Sequence, residues 1–181
     1  MEECQKEKLS IYVNELLSWN QSFNLIGKST EKEIWKTHIE NSLDILSNIK
    51  EEKSMDIIDI GSGAGLPGIP LAILLPEKKF YLTEVNSKKI AFLTFITKKL
   101  NLNTEVININ EGFLFKQECI VISRAFSTIK EIIKWEKKHL SNVLRSYLLK
   151  GQLEKIYFEI REANLEKYQI IKLKKGNLVI F

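Results

Sequence analysis

Glycine and proline are concentrated in one short stretch of the chain, and this stretch limits the possible folds more than any other feature. Four of the eight glycines and all three prolines lie between residues 61 and 76. A short apolar run, Met55 to Ile60, leads directly into it. Glycine is favoured where a backbone bends tightly or approaches a ligand closely. We therefore predict a β-strand that ends in a glycine turn, followed by a helix from Pro67 to near Pro76.

After this stretch, apolar runs of strand length alternate with segments of helical period. The predicted strands cover residues 55–60, 80–84, 104–109, 119–123, 146–150, 168–173 and 177–181. The predicted helices cover residues 67–76, 87–100, 129–140 and 153–164. Strands and helices that alternate at these lengths predict crossover connections and a mostly parallel sheet, which is an α/β fold. The last two of the seven strands flank Lys-Lys-Gly and predict a C-terminal antiparallel hairpin.

The first fifty residues have helical period instead. Apolar side chains share one helical face at Leu9, Tyr12, Val13, Leu16 and Leu17. A turn-like stretch covers residues 20–29, a capping-box pattern follows at Thr30 and Glu33, and helical period continues to Ile49. We predict an N-terminal helical extension over residues 1–50. It packs on a domain formed by residues 51–181, and the whole chain of 181 residues is one compact unit.

Composition excludes several classes of protein. The chain has two cysteines, Cys4 and Cys119, and two histidines, His38 and His139, so we expect neither a disulfide framework nor a metal site. The N-terminus carries charges throughout and has no apolar signal core. The apolar run from Leu66 to Leu75 is too short and too rich in proline to span a bilayer. We expect a cytoplasmic protein that binds no metal and no membrane.

The charge of the chain is unevenly distributed. Residues 1–144 hold 19 Lys and Arg against 19 Asp and Glu, whereas residues 145–181 hold 8 against 4. The whole formal excess of +4 therefore lies in the C-terminal fifth. A local excess of this size permits contact with nucleic acid but does not require it.

The glycine stretch also carries a motif for cofactor binding. Gly63, Gly65 and Gly68 satisfy G-x-G-x-x-G, which is a weak signal alone. Asp59 ends the preceding strand, and Glu84 ends the next strand at roughly 20 residues' distance, where a carboxylate can accept bonds from ribose hydroxyls. An acid followed by alternating glycines favours S-adenosylmethionine over a nicotinamide dinucleotide. A nicotinamide-dependent reductase and a glycine turn without a ligand remain open alternatives.

The end of the fourth predicted strand narrows the acceptor chemistry. Ser123-Arg124-Ala125-Phe126 stands where amino-group methyltransferases usually carry N/D-P-P-Y/F. Pyrimidine-C5 methyltransferases need a positioned cysteine, and Cys119 lies at the wrong end of this strand. These observations favour an acceptor atom that needs neither deprotonation nor covalent activation.

Several motifs occur together in an order that resembles the RsmG (GidB) family of bacterial 16S ribosomal RNA guanine-N7 methyltransferases. They are Trp19-Asn20 with Asn24-Leu25, His38-Ile39 with Ser42, the loop from Asp59 to Ala72, Lys88-Lys89 with Phe92-Leu93, Ser123 to Phe126, and Lys150-Gly151. The resemblance covers nearly the whole chain. It implies a Rossmann-like class I S-adenosylmethionine-dependent methyltransferase fold, with N7 of the guanine at position 527 of 16S rRNA as target. The implied partner is 16S rRNA or the small ribosomal subunit, and we expect a monomer.

The motif and the resemblance together assign the candidate site residues. Cofactor binding is assigned to Asp59, Gly61, Ser62, Gly63, Ala64, Gly65, Leu66, Pro67, Glu84, Asn110, Glu111 and Arg124. Contact with substrate RNA is assigned to His38, Lys88, Lys89, Arg124 and Lys150, although packing alone explains His38 slightly better. Guanine N7 has a free lone pair, so no general base is required. Arg124 and Lys150 are therefore predicted to orient the substrate.

The sequence departs from the pattern of the resembling family at two positions. Asn41 stands where an aspartate is usual, and the usual arginine-containing R-x-E after the third strand is reduced to Ile109-Asn110-Glu111, so that only Glu111 is retained. These departures leave a further alternative open. The chain could be a ribosome-assembly module that binds RNA with this fold but has little activity.

Overall fold

The computed structural model describes residues 1–181. The seven strands are β1 (Asp56–Ile60), β2 (Lys79–Glu84), β3 (Thr104–Asn108), β4 (Phe115–Arg124), β5 (Leu140–Lys150), β6 (Gln169–Lys172) and β7 (Asn177–Ile180). The helices are α1 (Glu3–Phe23), α2 (Asn41–Leu43), α3 (Leu46–Glu51), α4 (Gly68–Leu74), α5 (Ser87–Lys99), α6 (Ile129–His139) and α7 (Leu153–Glu162). A 3-10 helix covers Lys28–Glu33, a π-helix covers Trp35–Glu40, and a 3-10 turn covers Ile109–Glu111.

The strands form one sheet in the order β3-β2-β1-β4-β5-β7-β6. The first five strands of this order are parallel, and β7 runs antiparallel to both β5 and β6. The predicted α/β fold, with seven strands and a C-terminal hairpin, is thus confirmed. The β1 and β4 strands are neighbours although β2 and β3 come between them in the chain. The strand order reverses there, and open α/β sheets bind ligands at such a point.

Two hydrophobic clusters cover the two faces of the sheet. Ile57 belongs to a cluster of 29 buried residues that includes α1, α4 and α5, whereas Ile58 belongs to a cluster of 12 that includes α6 and α7. Alternate residues of a strand point to opposite faces, so the short apolar run of β1 supplies both clusters. The N-terminal extension packs on the larger cluster, and the buried Tyr12 hydroxyl donates to the Ala64 carbonyl at 2.9 Å.

Several predicted boundaries are wrong. The β4 strand begins at Phe115 and β5 at Leu140, each well before the predicted start. Both first residues are buried and apolar, but polar, exposed residues follow each of them directly, so no apolar run marks the start of either strand. The α1 helix continues to Phe23, inside the predicted turn. The predicted regular helix over residues 30–49 is instead a series of short helical segments.

A side-chain hydrogen bond accompanies the π-helical turn. The Ser42 hydroxyl donates to the His38 carbonyl at 2.6 Å and so competes with the backbone for that acceptor. A single wide turn of this kind redirects the side chains that follow it and is common at functional sites. Here it contains His38.

No helix of the chain is long and apolar enough to cross a membrane. No group of three or more His, Cys, Asp or Glu side chains is placed to hold a metal ion.

Candidate functional site

The candidate site lies at the carboxyl ends of β1, β2 and β4. The helices that follow β1 and β4 pack on opposite faces of the sheet, since α4 contributes to the larger hydrophobic cluster and α6 to the smaller one. A crevice therefore opens between the two strand ends. Asp59 lies on the β1 side of it and Arg124 on the β4 side.

The glycine loop from Gly61 to Gly68 joins β1 to α4. The Ser62 carbonyl accepts the amides of Gly65 and Leu66 at 2.8 and 3.0 Å, which closes a tight turn. Gly63 has a φ of +59°, and a Cβ added there would meet nothing nearer than the Gly61 carbonyl at 3.9 Å. The loop backbone at Gly63 therefore faces open space that a ligand can occupy.

Asp59 is fully buried beneath this loop. Its Oδ2 accepts the Gly68 amide at 3.1 Å, whereas its Oδ1 has no hydrogen-bond partner. A Cβ on Gly68 would lie 2.5 Å from Oδ2, so only glycine allows this contact. Burial raises the pKa of Asp59 to about 7, although the Gly68 amide, Ser62 and Arg124 act in the opposite direction. A buried acceptor without a donor is costly, and a bound N–H group would satisfy it.

Glu84 fixes the loop from the end of β2. Its Oε2 accepts the Gly63 amide at 3.0 Å, and its Oε1 accepts the amides of Val85 and Asn86 at 2.8 and 3.1 Å. Oε2 keeps a lone pair for a hydroxyl donor. The arrangement of Asp59, Gly63 and Glu84 thus fits a ligand that has an ammonium group and a ribose.

The two lysines that open α5 lie on different sides of this region. Lys89 Nζ is 4.0 Å from Glu84 Oε2, which places it beside the predicted cofactor residues. Lys88 Nζ lies over the Phe23 ring at 5.9 Å from its centroid. Their assignment to RNA contact stays a prediction.

The turn after β3 brings Asn110 to the end of β2. Asn110 Nδ2 donates to the Val85 carbonyl at 3.2 Å, next to Glu84. The Glu111 carboxylate accepts from Asn108 Nδ2 at 2.7 Å. Both predicted residues are exposed and adjoin the predicted ribose site.

His38 and Arg124, which are 86 residues apart in the chain, form a direct hydrogen bond of 3.1 Å between His38 Nδ1 and the Arg124 guanidinium. Arginine has no acceptor, so Nδ1 accepts and the proton of a neutral His38 is on Nε2. His38 Nε2 then donates to Thr30 Oγ1 at 2.8 Å, and Thr30 Oγ1 donates to the Gly27 carbonyl at 2.7 Å. Burial, Arg124 and Lys175 lower the pKa of His38 to about 4, which keeps it in this neutral form.

The turn after Arg124 shapes the mouth of the crevice. Ala125 adopts a left-handed conformation with a φ of +53°, which L-residues other than Asn and Asp rarely adopt. Phe126 follows it and is 44% exposed, and its ring packs so closely on Gly61 that a Cβ there would overlap it. The ends of β1 and β4 are therefore in contact through Phe126.

Lys150 ends β5 near Arg124 but has partners of its own. Its Nζ donates to the Glu159 carboxylate at 2.8 Å and to the Ser127 carbonyl, and its side chain is 11% exposed. In this arrangement Lys150 ties β5 to α7 and to the loop after β4. Its role in orienting a substrate stays a prediction.

A cavity of about 780 Å³ is lined in part by Arg124 and by no residue of the glycine loop, and we call it the acceptor cleft. Its charged or titratable lining residues are His38, Arg124, Lys150, Lys172 and Lys175, and none of its lining residues is acidic. Sequence reasoning did not assign Lys172 or Lys175 to the site. The excess positive charge of residues 145–181 is the sequence signal that could have indicated this region.

The model of the family described as rRNA small subunit methyltransferase G (GidB) matches residues 5–178. A protein named Ribosomal RNA small subunit methyltransferase G from Brachyspira hyodysenteriae is 39% identical over 97% of this chain and 86% of its own length. Proteins of the same name from Magnetococcus marinus and Mycoplasma mobile are 38% and 36% identical. They match over 90% and 96% of this chain and over 73% and 81% of their own lengths.

Solved structures agree with the fold. A putative S-adenosyl-L-methionine-dependent methyltransferase from Methanococcus maripaludis has a TM-score of 0.64 at 17% identity, over 84% of this chain and 90% of that one. A SAM-dependent methyltransferase from Aquifex aeolicus has a TM-score of 0.60 at 14% identity, over 82% and 95%. Since identities this low establish the fold alone, the family rests on the sequence matches along nearly the whole chain. The chain belongs to the rRNA small subunit methyltransferase G family.

Proposed function

We propose that this protein transfers the methyl group of S-adenosylmethionine to N7 of a guanine in 16S ribosomal RNA, with the guanine at position 527 as the expected target. The observation that carries the proposal is membership of the rRNA small subunit methyltransferase G family along residues 5–178. The fold has the crevice that this function needs. The glycine loop and the strand-end carboxylates lie at the ends of β1 and β2, and a basic cleft adjoins Arg124 at the end of β4.

The residues at the ends of β1 and β2 suit the cofactor. We assign the ammonium group to the unpartnered Oδ1 of Asp59, the ribose hydroxyls to Glu84, and the close backbone approach to Gly63. When bound, S-adenosylmethionine supplies an electrophilic methyl group on a sulfonium centre. The exposed Asn110 and Glu111 adjoin the ribose side, and we assign them to the adenine end.

The acceptor side of the crevice has no general base. The acceptor cleft contains no carboxylate, and the free lone pair of His38 is engaged by Arg124. Guanine N7 needs no base, because it attacks through an in-plane lone pair and has no proton to lose. Such a reaction can depend on proximity and orientation, together with electrostatic complementarity.

Arg124 is the group that orients the acceptor. His38 accepts from one of the five N–H donors of the Arg124 guanidinium, which leaves four donors for a substrate or other partners. A guanidinium beside N7 would oppose the positive charge that develops on the guanine ring. We therefore assign Arg124 to guanine O6 or to an adjacent phosphate, where its charge is favourable.

Two tests examine the activity. Purified protein with methyl-labelled cofactor and 16S rRNA from cells that lack the protein should yield labelled 7-methylguanosine at the expected guanine. Binding of RNA without methyl transfer would instead support an assembly module. Unchanged methylation of that guanine in cells lacking the protein would contradict the target.

A binding test separates the cofactor classes. Calorimetry should detect S-adenosylhomocysteine and not NADH, and the reverse result would support the nicotinamide-dependent alternative. The proposal includes a monomer, because one chain supplies both the cofactor residues and the acceptor cleft. It also includes action in the cytoplasm, because the proposed substrate is ribosomal RNA. Size-exclusion chromatography with light scattering tests the monomer.

A further inference from the structure

The C-terminal hairpin forms one wall of the acceptor cleft, and nothing in the proposed reaction uses it. We infer that the β6–β7 hairpin binds the backbone of the substrate RNA, with Lys172 and Lys175 contacting phosphates that flank the target guanine. The inference rests on the proposed function and adds a second contact region to it. Four observations about the hairpin support it.

The first observation is that Lys172 and Lys175 are exposed cations without acidic partners. Six ion pairs occur in the chain, and neither lysine takes part in any of them. Lys150, in the same cleft, is paired with Glu159. Positive charges that share a cleft repel each other unless an anion is bound between them. Lys172, Lys175 and Arg124 therefore give the cleft an excess of positive charge, while Lys175 also lines a separate cavity that contains Glu33, Glu40 and Asp44.

The second observation is that the hairpin backbone is held in place. Asn41 Nδ2 donates to the Lys175 carbonyl at 3.1 Å, and Asn177 Nδ2 donates to the Gly151 carbonyl at 2.6 Å. Gly176 has a φ of +81°, and a Cβ there would overlap the Lys150 carbonyl. All of β7 is buried. Exposed lysines on a fixed backbone form a preorganised surface, which lowers the entropic cost of binding.

The third observation is that the turn directs its lysines to different surroundings. Lys172 and Lys175 line the acceptor cleft, whereas Lys174 does not. Lys174 lies close enough to Asp44 to lower the pKa of that carboxyl, which burial raises. Lys174 therefore offers a neighbour of the same charge and exposure class that lies outside the lining of the acceptor cleft.

The fourth observation concerns the charge of the chain as a whole. Residues 1–144 are electrically balanced, so the excess charge comes from residues 145–181. Lys172 and Lys175 belong to that excess. A protein that attracted RNA over its whole surface would have its excess positive charge spread along the chain. The contact we infer is local and uses few phosphates, which suits a substrate recognised by its shape.

The expected effect follows from counterion release. For single-stranded nucleic acid, each neutralised phosphate contributes about 0.7 to the slope of log K against log salt. Loss of two contacts lowers the slope by about 1.4, which corresponds to about 25-fold weaker binding at 0.1 M salt if the effect vanishes at 1 M.

The experiment compares the wild-type chain with K172Q/K175Q and with the control K174Q. The probe is 16S rRNA, free and in small subunits, from cells that lack the protein. Affinity and methylation are measured from about 0.05 to 0.4 M salt, a range in which such binding changes steeply. Binding of S-adenosylhomocysteine and thermal stability show whether each variant is folded.

We expect K172Q/K175Q to bind RNA about 25-fold more weakly at 0.1 M salt with the lower slope. We also expect its cofactor affinity to be unchanged and K174Q to match the wild-type chain. A wild-type slope in K172Q/K175Q, or an equal loss in K174Q, would overturn the inference while leaving the function intact. Absence of methyl transfer by the wild-type chain would overturn the proposed function and this inference with it.

Discussion

Replacement of Asp59 by asparagine should make the chain more stable at high pH while weakening its affinity for the cofactor. The pKa of Asp59 is about 7 in the folded chain against an ordinary value of 3.8. That difference of ~3 units corresponds to about 4 kcal/mol. The folded chain keeps the proton up to about pH 7, whereas the unfolded chain releases it near pH 4. The contribution of Asp59 to the free energy of unfolding therefore falls by about 1.4 kcal/mol per pH unit between these values and then stays level.

Asp59→Asn removes this titration with little change in shape. The amide oxygen of asparagine can still accept the Gly68 amide, and its amide nitrogen takes the place of the unpartnered Oδ1. Urea denaturation without cofactor should show that the stability of the variant relative to wild type rises by roughly 2–3 kcal/mol between pH 5 and pH 8. Glu136, whose pKa burial raises to about 7, titrates in both proteins and cancels in this difference.

The affinity of the wild-type chain for the cofactor should rise with pH, whereas its stability falls. An ammonium group beside Oδ1 favours the ionised carboxylate, so wild-type affinity for S-adenosylhomocysteine should rise by up to about tenfold per pH unit below pH 7 and level off above it. The Asp59→Asn variant should bind more weakly at pH 8 and show little of this dependence. A stability difference that stays constant between pH 5 and pH 8 would refute a protonated Asp59 in the folded chain. Equal affinity of both proteins at pH 8 would refute the ammonium contact.

Three further variants test other parts of the site. Gly63→Val places a branched side chain where the cofactor must approach the backbone, and calorimetry should detect no S-adenosylhomocysteine binding; near-wild-type affinity would remove the loop from the site. Arg124→Lys keeps the positive charge but loses the planar guanidinium that is hydrogen-bonded to His38. Turnover on RNA should therefore fall at least about tenfold, while cofactor affinity stays unchanged. Weaker cofactor binding with unchanged turnover would place Arg124 on the cofactor side. His38→Gln removes a group whose pKa is lowered to about 4. The variant should therefore lose less stability than the wild-type chain when the pH falls from 6.5 to 4. Equal loss of stability in both proteins, measured by urea denaturation, would contradict a buried neutral histidine.

The sequence predicts those parts of the fold that are determined by residues close together in the chain. An apolar run followed by glycines identifies β1 and its loop, because short-range geometry decides both. The first halves of β4 and β5 escape prediction, because they pair with each other through backbone bonds while their side chains are largely polar and exposed. Backbone pairing of polar segments leaves no hydrophobic period to detect.

The candidate site also contains residues that the sequence predicts and contacts that it does not. Asp59 and Glu84 could be assigned from their positions at strand ends, because parallel strands bring their carboxyl ends to one edge. The His38 and Arg124 contact could not be assigned, since a π-helical turn aims the histidine and the two residues are 86 positions apart. The partner of Lys150 was missed for a related reason, as Glu159 lies on the next helix. Such pairings depend on tertiary packing and leave no mark in residue spacing.

The N-terminal extension connects all parts of the site, and this bears on its role. Tyr12 contacts the glycine loop, His38 contacts the end of β4, and Asn41 contacts the hairpin. A segment that served only to cover the sheet would need apolar contacts alone. It would not need hydrogen bonds to the glycine loop, the end of β4 and the hairpin. Because each of these bonds ends on a backbone or side chain that borders the crevice, movement of the extension would shift cofactor loop, Arg124 and hairpin together. We therefore expect residues 1–50 to be as necessary for methyl transfer as the glycine loop, although they supply no reacting group.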